Sequence, residues 1–154
     1  MDVRWEREVP EDILALGLAQ ADYADLVSAP LPPGPARTPE QWMIDGLRVL
    51  PDALTRVIPW IHRGLLGLRV ELAPSADRPL GWTVADRTAD HIAIEASGPL
   101  MAARVVVHIG RTHGSLASFV RYERRAAAVI WPPVSLIHRR VAITLMRSAV
   151  RAGS

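Results

Sequence analysis

Apolar positions in this chain follow two rhythms. Between residues 81 and 123 they alternate: Ile92, Ile94 and Ala96 oppose His91, Ala93 and Glu95, and Ala103, Val105, Val107 and Ile109 oppose Arg104, Val106 and His108. A period of two is the pattern of a strand with one face on a core. A strand over Gly81–Thr88 places Trp82, Val84 and Asp86 together. A fourth, over Leu116–Glu123, sets Leu116, Ser118, Val120 and Tyr122 against Ala117, Phe119, Arg121 and Glu123. Neither of its faces is cleanly apolar, and the first set reads as the core face. Asp90 and the run Gly110–Gly114 supply turn chemistry between the strands. Such tight spacing predicts an antiparallel meander with one buried face.

Elsewhere the apolar residues recur every three or four positions. Val134, Ile137, Val141 and Leu145 form a helical stripe with His138 near its centre, while Arg139, Arg140, Arg147 and Arg151 fall away from it, Arg139 the least exposed. Pro132 and Pro133 forfeit backbone hydrogen bonds in a helix interior. Either a short helix ends near Trp131 and a second starts at the prolines, or one helix is sharply kinked. Thr38-Pro39-Glu40-Gln41 has the form of a capping box and opens a helix running to about Leu50. Pro51-Asp52 opens a second, striped by Leu54, Val57, Ile58, Ile61 and Leu65, kinked at Pro59 and capped by Gly67. Ahead of these, Asp22–Leu31 reads as a strand with Tyr23, Val27 and Ala29 on one face. A rigid connector, Pro30–Pro35, follows it. Residues 1–9 read as a loosely held charged arm anchored by Trp5, Pro10–Ala21 as a short helix, and Ala73–Pro79 as a polar loop. The organisation is therefore an arm with a short helix (1–21) and one domain (22–154). Its class is α+β: a curved antiparallel sheet of about five strands against a long C-terminal helix, with two helices between the first strand and the meander.

A chain of 154 residues, 49% hydrophobic, builds one domain with a real core. It has no cysteine, which excludes disulfides and thiolate chemistry. It also has no lysine, which excludes a Schiff base. Residues 1–100 carry nine arginines against fifteen acids, and residues 101–154 nine arginines against one acid. The ordinary outcome is that the halves compensate each other. The sharper one is a basic helix face that meets an anionic partner or a membrane surface. The apolar run Ala126–Ile137 is too short to span a bilayer and holds two prolines. Ile13–Ala21 imitates a signal peptide, but its leader is acidic, so the expected location is cytoplasmic. The arginines lack the interleaved aromatic rings of a nucleic-acid groove. No phosphate-binding glycine loop occurs, and His91, His108 and His113 have no metal-site spacing. No cofactor is expected.

The segments DYADLVSAPLPPG near the front, Gly81-Trp82, Phe119-Val120-Arg121-Tyr122, Trp131-Pro132-Pro133-Val134 and His138-Arg139-Arg140 are together similar to the helix-grip (START-like, SRPBCC) superfamily. The chain looks closest to a bacterial branch of unknown function. The likeness spans roughly residues 22–151, with fewer strands than the larger members. It implies an apolar cavity between sheet and terminal helix. It implies no particular substrate, since these folds serve as carriers, cyclases, sensors and hydroxylase domains.

On the core face, Asp86, Ser118, Tyr122 and His138 are the polar members of a mostly apolar set, which is the pattern of a ligand pocket. The expected ligand-binding residues are Trp60, Trp82, Ser118, Tyr122, Trp131 and His138. Tyr122 and His138 orient the polar end of an apolar ligand, and Trp60 and Trp131, beside prolines, serve as walls or gates. With the last strand's parity reversed, Arg121 would face the pocket and pair with a ligand carboxylate. The leading expectation is binding of a small apolar or amphipathic molecule. The first alternative is a cofactor-free cyclase or dehydratase with His138 as acid or base, assisted by Tyr122 or Asp86. The second is a non-catalytic homodimer or partner-binding protein whose cavity is filled by its own side chains. A serine nucleophile has no elbow motif to carry it.

Overall fold

A computed structural model describes residues 2–71 and 79–153. Six strands, β1 (Arg4–Glu6), β2 (Tyr23–Pro30), β3 (Thr83–Arg87), β4 (His91–Ser97), β5 (Met101–Ile109) and β6 (His113–Tyr122), form one antiparallel sheet in the order β1-β2-β6-β5-β4-β3. The helices are α1 (Glu11–Leu14), α2 (Pro39–Val49), α3 (Asp52–Trp60), which continues as a π-helical turn over Ile61–Leu65, and α4 (Ala127–Ala152). The sheet is curved and α4 packs against its concave face, so the helix-grip arrangement expected from the chain is the one observed. The polar loop expected at Ala73–Pro79 lies, apart from Pro79, outside the described residues.

The sixth strand is β1, within the segment expected to be a loose arm. Arg4, Trp5 and Glu6 pair with Ser28, Val27 and Leu26. A three-residue strand shows no alternation to read; it exists because the edge of β2 offers unpaired backbone groups. The predicted helix over Pro10–Ala21 is shorter than expected, a single turn at Glu11–Leu14 followed by turns.

The capping box at α2 is present. Gln41 donates its backbone N–H to Thr38 Oγ1 at 3.1 Å, and Thr38 donates its own to Gln41 Oε1 at 2.9 Å. Pro59 sits inside α3, and the π-helical turn follows it directly. Gly67, at φ +66°, then ends the segment in the left-handed conformation that glycine tolerates best. Of the two alternatives read for the prolines, the structure has the single helix: α4 runs on through Pro132 and Pro133 from Ala127 to Ala152. Pro132, Pro133 and the preceding turn at Ala128-Val129 are solvent-exposed, so the carbonyls they leave free face water. Ser135 also caps the Pro132 carbonyl at 2.6 Å.

Two devices fasten α2 to α4. A Cβ on Gly46 would lie 2.7 Å from the Leu145 side chain, so only glycine lets the helices approach this closely. Arg37, just before α2, pairs with Asp45 at 2.6 Å and donates to the Ala149 carbonyl at 2.7 Å. This guanidinium serves as a cation at the end of α4, where it suits the helix dipole.

Both faces of the sheet are covered. The concave core joins Val27, Trp82, Ile92, Ile94, Val107, Leu116 and Val120 to Trp42, Trp131, Leu145 and Met146 from the helices. A second core on the convex face gathers Leu26, Ala93, Val106, Ala117 and Phe119 under Val9, Ile13, Leu16 and Leu18. The expected parity of β6 is therefore correct. Leu116, Ser118 and Val120 share the concave side, while Arg121 turns away to pair with Glu123 at 2.8 Å. Asp86 departs from expectation. A register shift between Val84 and Asp86 moves it off the Val84 face to pair with Ala93 on the convex side, where it meets His91 Nε2 at 2.7 Å. A bulge inserts one residue and reverses every later side chain, which alternation alone cannot reveal.

Candidate functional site

A cavity of about 170 Å³ lies between the concave face and the helices. Ile94, Ala103, Val105, Val107 and Leu116 form its floor; Trp131, Val134, Ile137, His138, Val141, Ala142 and Leu145 of α4 form one wall. Ile58, Ile61, His62 and Leu65 of the α3–π segment form the other. The stripe predicted on α4 is thus the cavity wall. Ala103, Val105, Val107 and Ala142 contribute short side chains to the lining.

Polar groups in the lining are few and specific. Trp82 donates its indole N–H to His62 Nδ1 at 3.0 Å, with the two rings edge-on at 5.2 Å. An accepting Nδ1 leaves the His62 proton on Nε2. On the opposite wall, His138 Nε2 lies 2.7 Å from Ser118 Oγ, and its ring packs 5.6 Å from Trp131. Burial, with a smaller contribution from the nearby His138, lowers the His62 pKa to about 4. Burial also lowers the pKa of His138, opposed by the negative charge of Asp25. Both imidazoles are therefore neutral at pH 7. Each can donate through one nitrogen and accept through the other, and neither supplies a fixed charge.

Behind Ser118 lies a buried carboxylate. Asp25 on β2 stands directly opposite Ser118 in the ladder and is 1% exposed. Its Oδ2 accepts from Trp5 Nε1 at 3.0 Å and from the Tyr23 hydroxyl at 2.5 Å; Oδ1 has no partner among the described residues. Arg139 stacks on Trp5 with its guanidinium carbon 3.5 Å from the ring centroid, and Arg7 stacks on Tyr23 at 4.4 Å. Positive charge thus stands one ring away from the carboxylate on either side. Burial and the neighbouring carboxylate both push the Tyr23 phenol above its ordinary pKa.

Of the six residues expected at the site, four come together: Trp82, Trp131 and His138 line the cavity, and Ser118 holds His138. Tyr122 is half-buried against the concave core but does not line the cavity. Trp60 is 64% exposed on the outer side of α3, and Ile58 and Ile61 take the place expected of it. Two residues had escaped notice. His62 lies four positions after Ile58 and one after Ile61, so the stripe already placed it on the wall. Asp25 shares the inward face of Tyr23 and Val27, and a lone acid between apolar neighbours was its signal. The Asp86–Asp90–His91 cluster lies on the convex side. Among the described residues, no group of three or more His, Asp or Glu is placed to hold a metal ion. No helix among them is long and apolar enough to cross a membrane. Comparison with protein-family models, with curated proteins and with solved structures finds no match to this chain.

Proposed function

We propose that this protein is a helix-grip binder of a small, neutral, mostly apolar molecule, held with its polar end between His62 and His138. The observation that carries this reading is the lining itself, which is apolar except for two neutral imidazoles on opposite walls and the indole N–H groups of Trp82, which His62 accepts, and of Trp131, which has no partner among the described residues. A few convergent polar groups in an apolar pocket fix orientation while burial supplies affinity. Size narrows the class. A dry apolar cavity of roughly 150 Å³ accommodates a benzene-sized molecule, so this one suits a single ring or a short branched chain with one hydroxyl or carbonyl.

Binding of phenol and toluene, followed by ligand-detected NMR, tests it. Phenol should bind about tenfold more tightly than toluene, and His138→Leu should remove that preference while retaining toluene binding. Equal affinities in the parent protein, or no binding of either at millimolar concentration, would sink the reading.

One observation favours acid–base catalysis in the same cavity. His138 is backed by Ser118 and by a buried carboxylate that stabilises its protonated form. In that reading His138 takes a proton from carbon next to a ligand carbonyl, and Ser118 orients the ring. Deuterium exchange into cyclohexanone in D₂O, faster with the parent protein than with His138→Gln, is the expected result; equal rates leave binding alone.

A further inference from the structure

The outer surface around the cavity mouth is apolar on both lips. Leu65 and Ile137 line the cavity yet are 51% and 59% exposed, so the apolar lining runs out onto the surface without a break. On the same two elements, Val57 and Trp60 of α3 and Val129 and Leu136 of α4, outside the cavity lining, are also about half exposed or more. Large apolar side chains exposed in this number on the two elements that share the cavity mouth mark an interaction surface. The charge on these segments is mainly positive, with Asp52 at the start of α3 and Glu123 before α4 as the flanking acids. Arg56 and Arg63 are exposed on the α3–π segment; Arg124, Arg125 and Arg140 are exposed before and along α4. No acid occurs in residues 53–70 or 124–152. The arginines in the ion pairs of the described residues are others: Arg4, Arg37, Arg87, Arg104 and Arg121.

We propose that this rim docks on an anionic lipid bilayer, with Trp60 and Leu136 entering the interface and the arginines meeting lipid phosphates. Exposed apolar side chains flanked by arginine, with a tryptophan among them, are what an interfacial surface requires. The excess of positive charge argues against a second copy of the chain, since a two-fold contact would bring mostly like charges face to face. Continuity with the cavity favours a bilayer over an acidic protein. An apolar molecule can pass between Leu65 and Ile137 from hydrocarbon to hydrocarbon without crossing water. Docking rests on the surface alone; the route for a ligand rests also on the binding reading above.

Vesicle flotation tests the proposal with the intact chain. The protein should float with vesicles of 30 mol% phosphatidylglycerol in phosphatidylcholine at low salt, and at least tenfold less with pure phosphatidylcholine. Trp60→Ser with Leu136→Ser should cut flotation on the anionic vesicles about tenfold, and Arg56→Glu with Arg63→Glu should cut it similarly. All four positions are exposed and outside the cavity lining, and circular dichroism confirms folding of each variant. Absence of flotation on anionic vesicles overturns the proposal, as does flotation unchanged in both double variants. So does a vesicle-free dimer that the Trp60/Leu136 variant abolishes, which would assign the face to self-association. Toluene binding by the same samples separates the two readings. In the parent protein, no flotation with toluene still bound removes docking alone; flotation without toluene binding removes the ligand alone.

Discussion

The two faces of one sheet are covered in opposite ways. On the convex side a short irregular segment, residues 9–21, lies directly on the strands, and the contact is tight. A Cβ on Gly17 would come within 2.5 Å of the Phe119 ring. On the concave side a 26-residue helix spans the sheet, held near its C-terminal end by Gly46 and Arg37, and leaves a hollow under its middle. The better-formed cover makes the poorer fit. A regular helix keeps its own spacing, and where the facing residues are alanine and valine nothing reaches across. An irregular segment can follow the sheet closely. The filled face serves stability, and the hollow face is where a ligand can be taken up.

Phe119→Ala tests the filled face most severely. Phe119 is 1% exposed and surrounded, so the cavity left behind should cost about 3–5 kcal/mol. Urea unfolding measures it. A loss below about 1 kcal/mol would mean that the convex cover contributes little, and the contrast would collapse.

Acid should act on the hollow face. Burial holds His62 neutral in the folded chain down to about pH 4, whereas the unfolded chain takes up its proton near 6.5. Between those values the unfolded state binds more protons, so stability falls as pH drops from about 6.5 towards 4 and levels off below. The gap corresponds to about 3 kcal/mol. His62→Leu should make that stretch of the curve shallower, leaving the part due to His138, whose pKa burial also lowers, measured by urea unfolding at pH 7 and pH 4.5. Asp86 and Asp90, held below their ordinary value by His91 and Thr88, titrate lower and equally in both proteins. A parallel drop in parent and variant would show that His62 titrates freely.

The N-terminal segment ties the faces together, since Trp5 enters the concave polar cluster while residues 9–21 close the convex side. Trp5→Phe keeps the ring under Arg139 but removes the N–H that Asp25 Oδ2 accepts. A hydrogen bond to a charged, buried carboxylate should be worth about 1.5 kcal/mol here. Thermal unfolding reads the loss. No change would mean that water satisfies Asp25 and that β1 is held by its ladder alone.

The sequence made the hollow face more legible than the filled one. Alternation in β4, β5 and β6 and the stripe on α4 are periodic signals. Together they placed Ser118 and His138 at one space, while Trp82 came from the alternation over Gly81–Thr88 and Trp131 from its place beside the prolines. The convex cover has no period. Ile13, Leu16 and Leu18 are buried by where the chain folds back, not by a helix repeat. The bulge at Asp86 and the ladder that recruits β1 depend on partner strands, which no local window contains. Trp60 misled because a tryptophan beside a proline resembles a gate. The helix turns it outward, and the imidazole two positions later faces the cavity instead.

Enlarging an alanine on each face probes the difference directly. Ala103 on β5 faces the cavity, whereas Ala117 on β6 is fully buried in the convex core. Leucine at 117 must displace packed neighbours, which costs about 1–3 kcal/mol. Leucine at 103 can enter space already empty, so stability should change by less than about 0.5 kcal/mol or rise, since a filled void regains dispersion contacts. Both outcomes are read from urea unfolding, and toluene binding completes the pair: Ala103→Leu should weaken it at least tenfold, while Ala117→Leu should leave it unchanged in the folded protein. Were Ala103→Leu as costly as its counterpart, the concave face would be packed rather than hollow, and the binding reading would lose the space it requires.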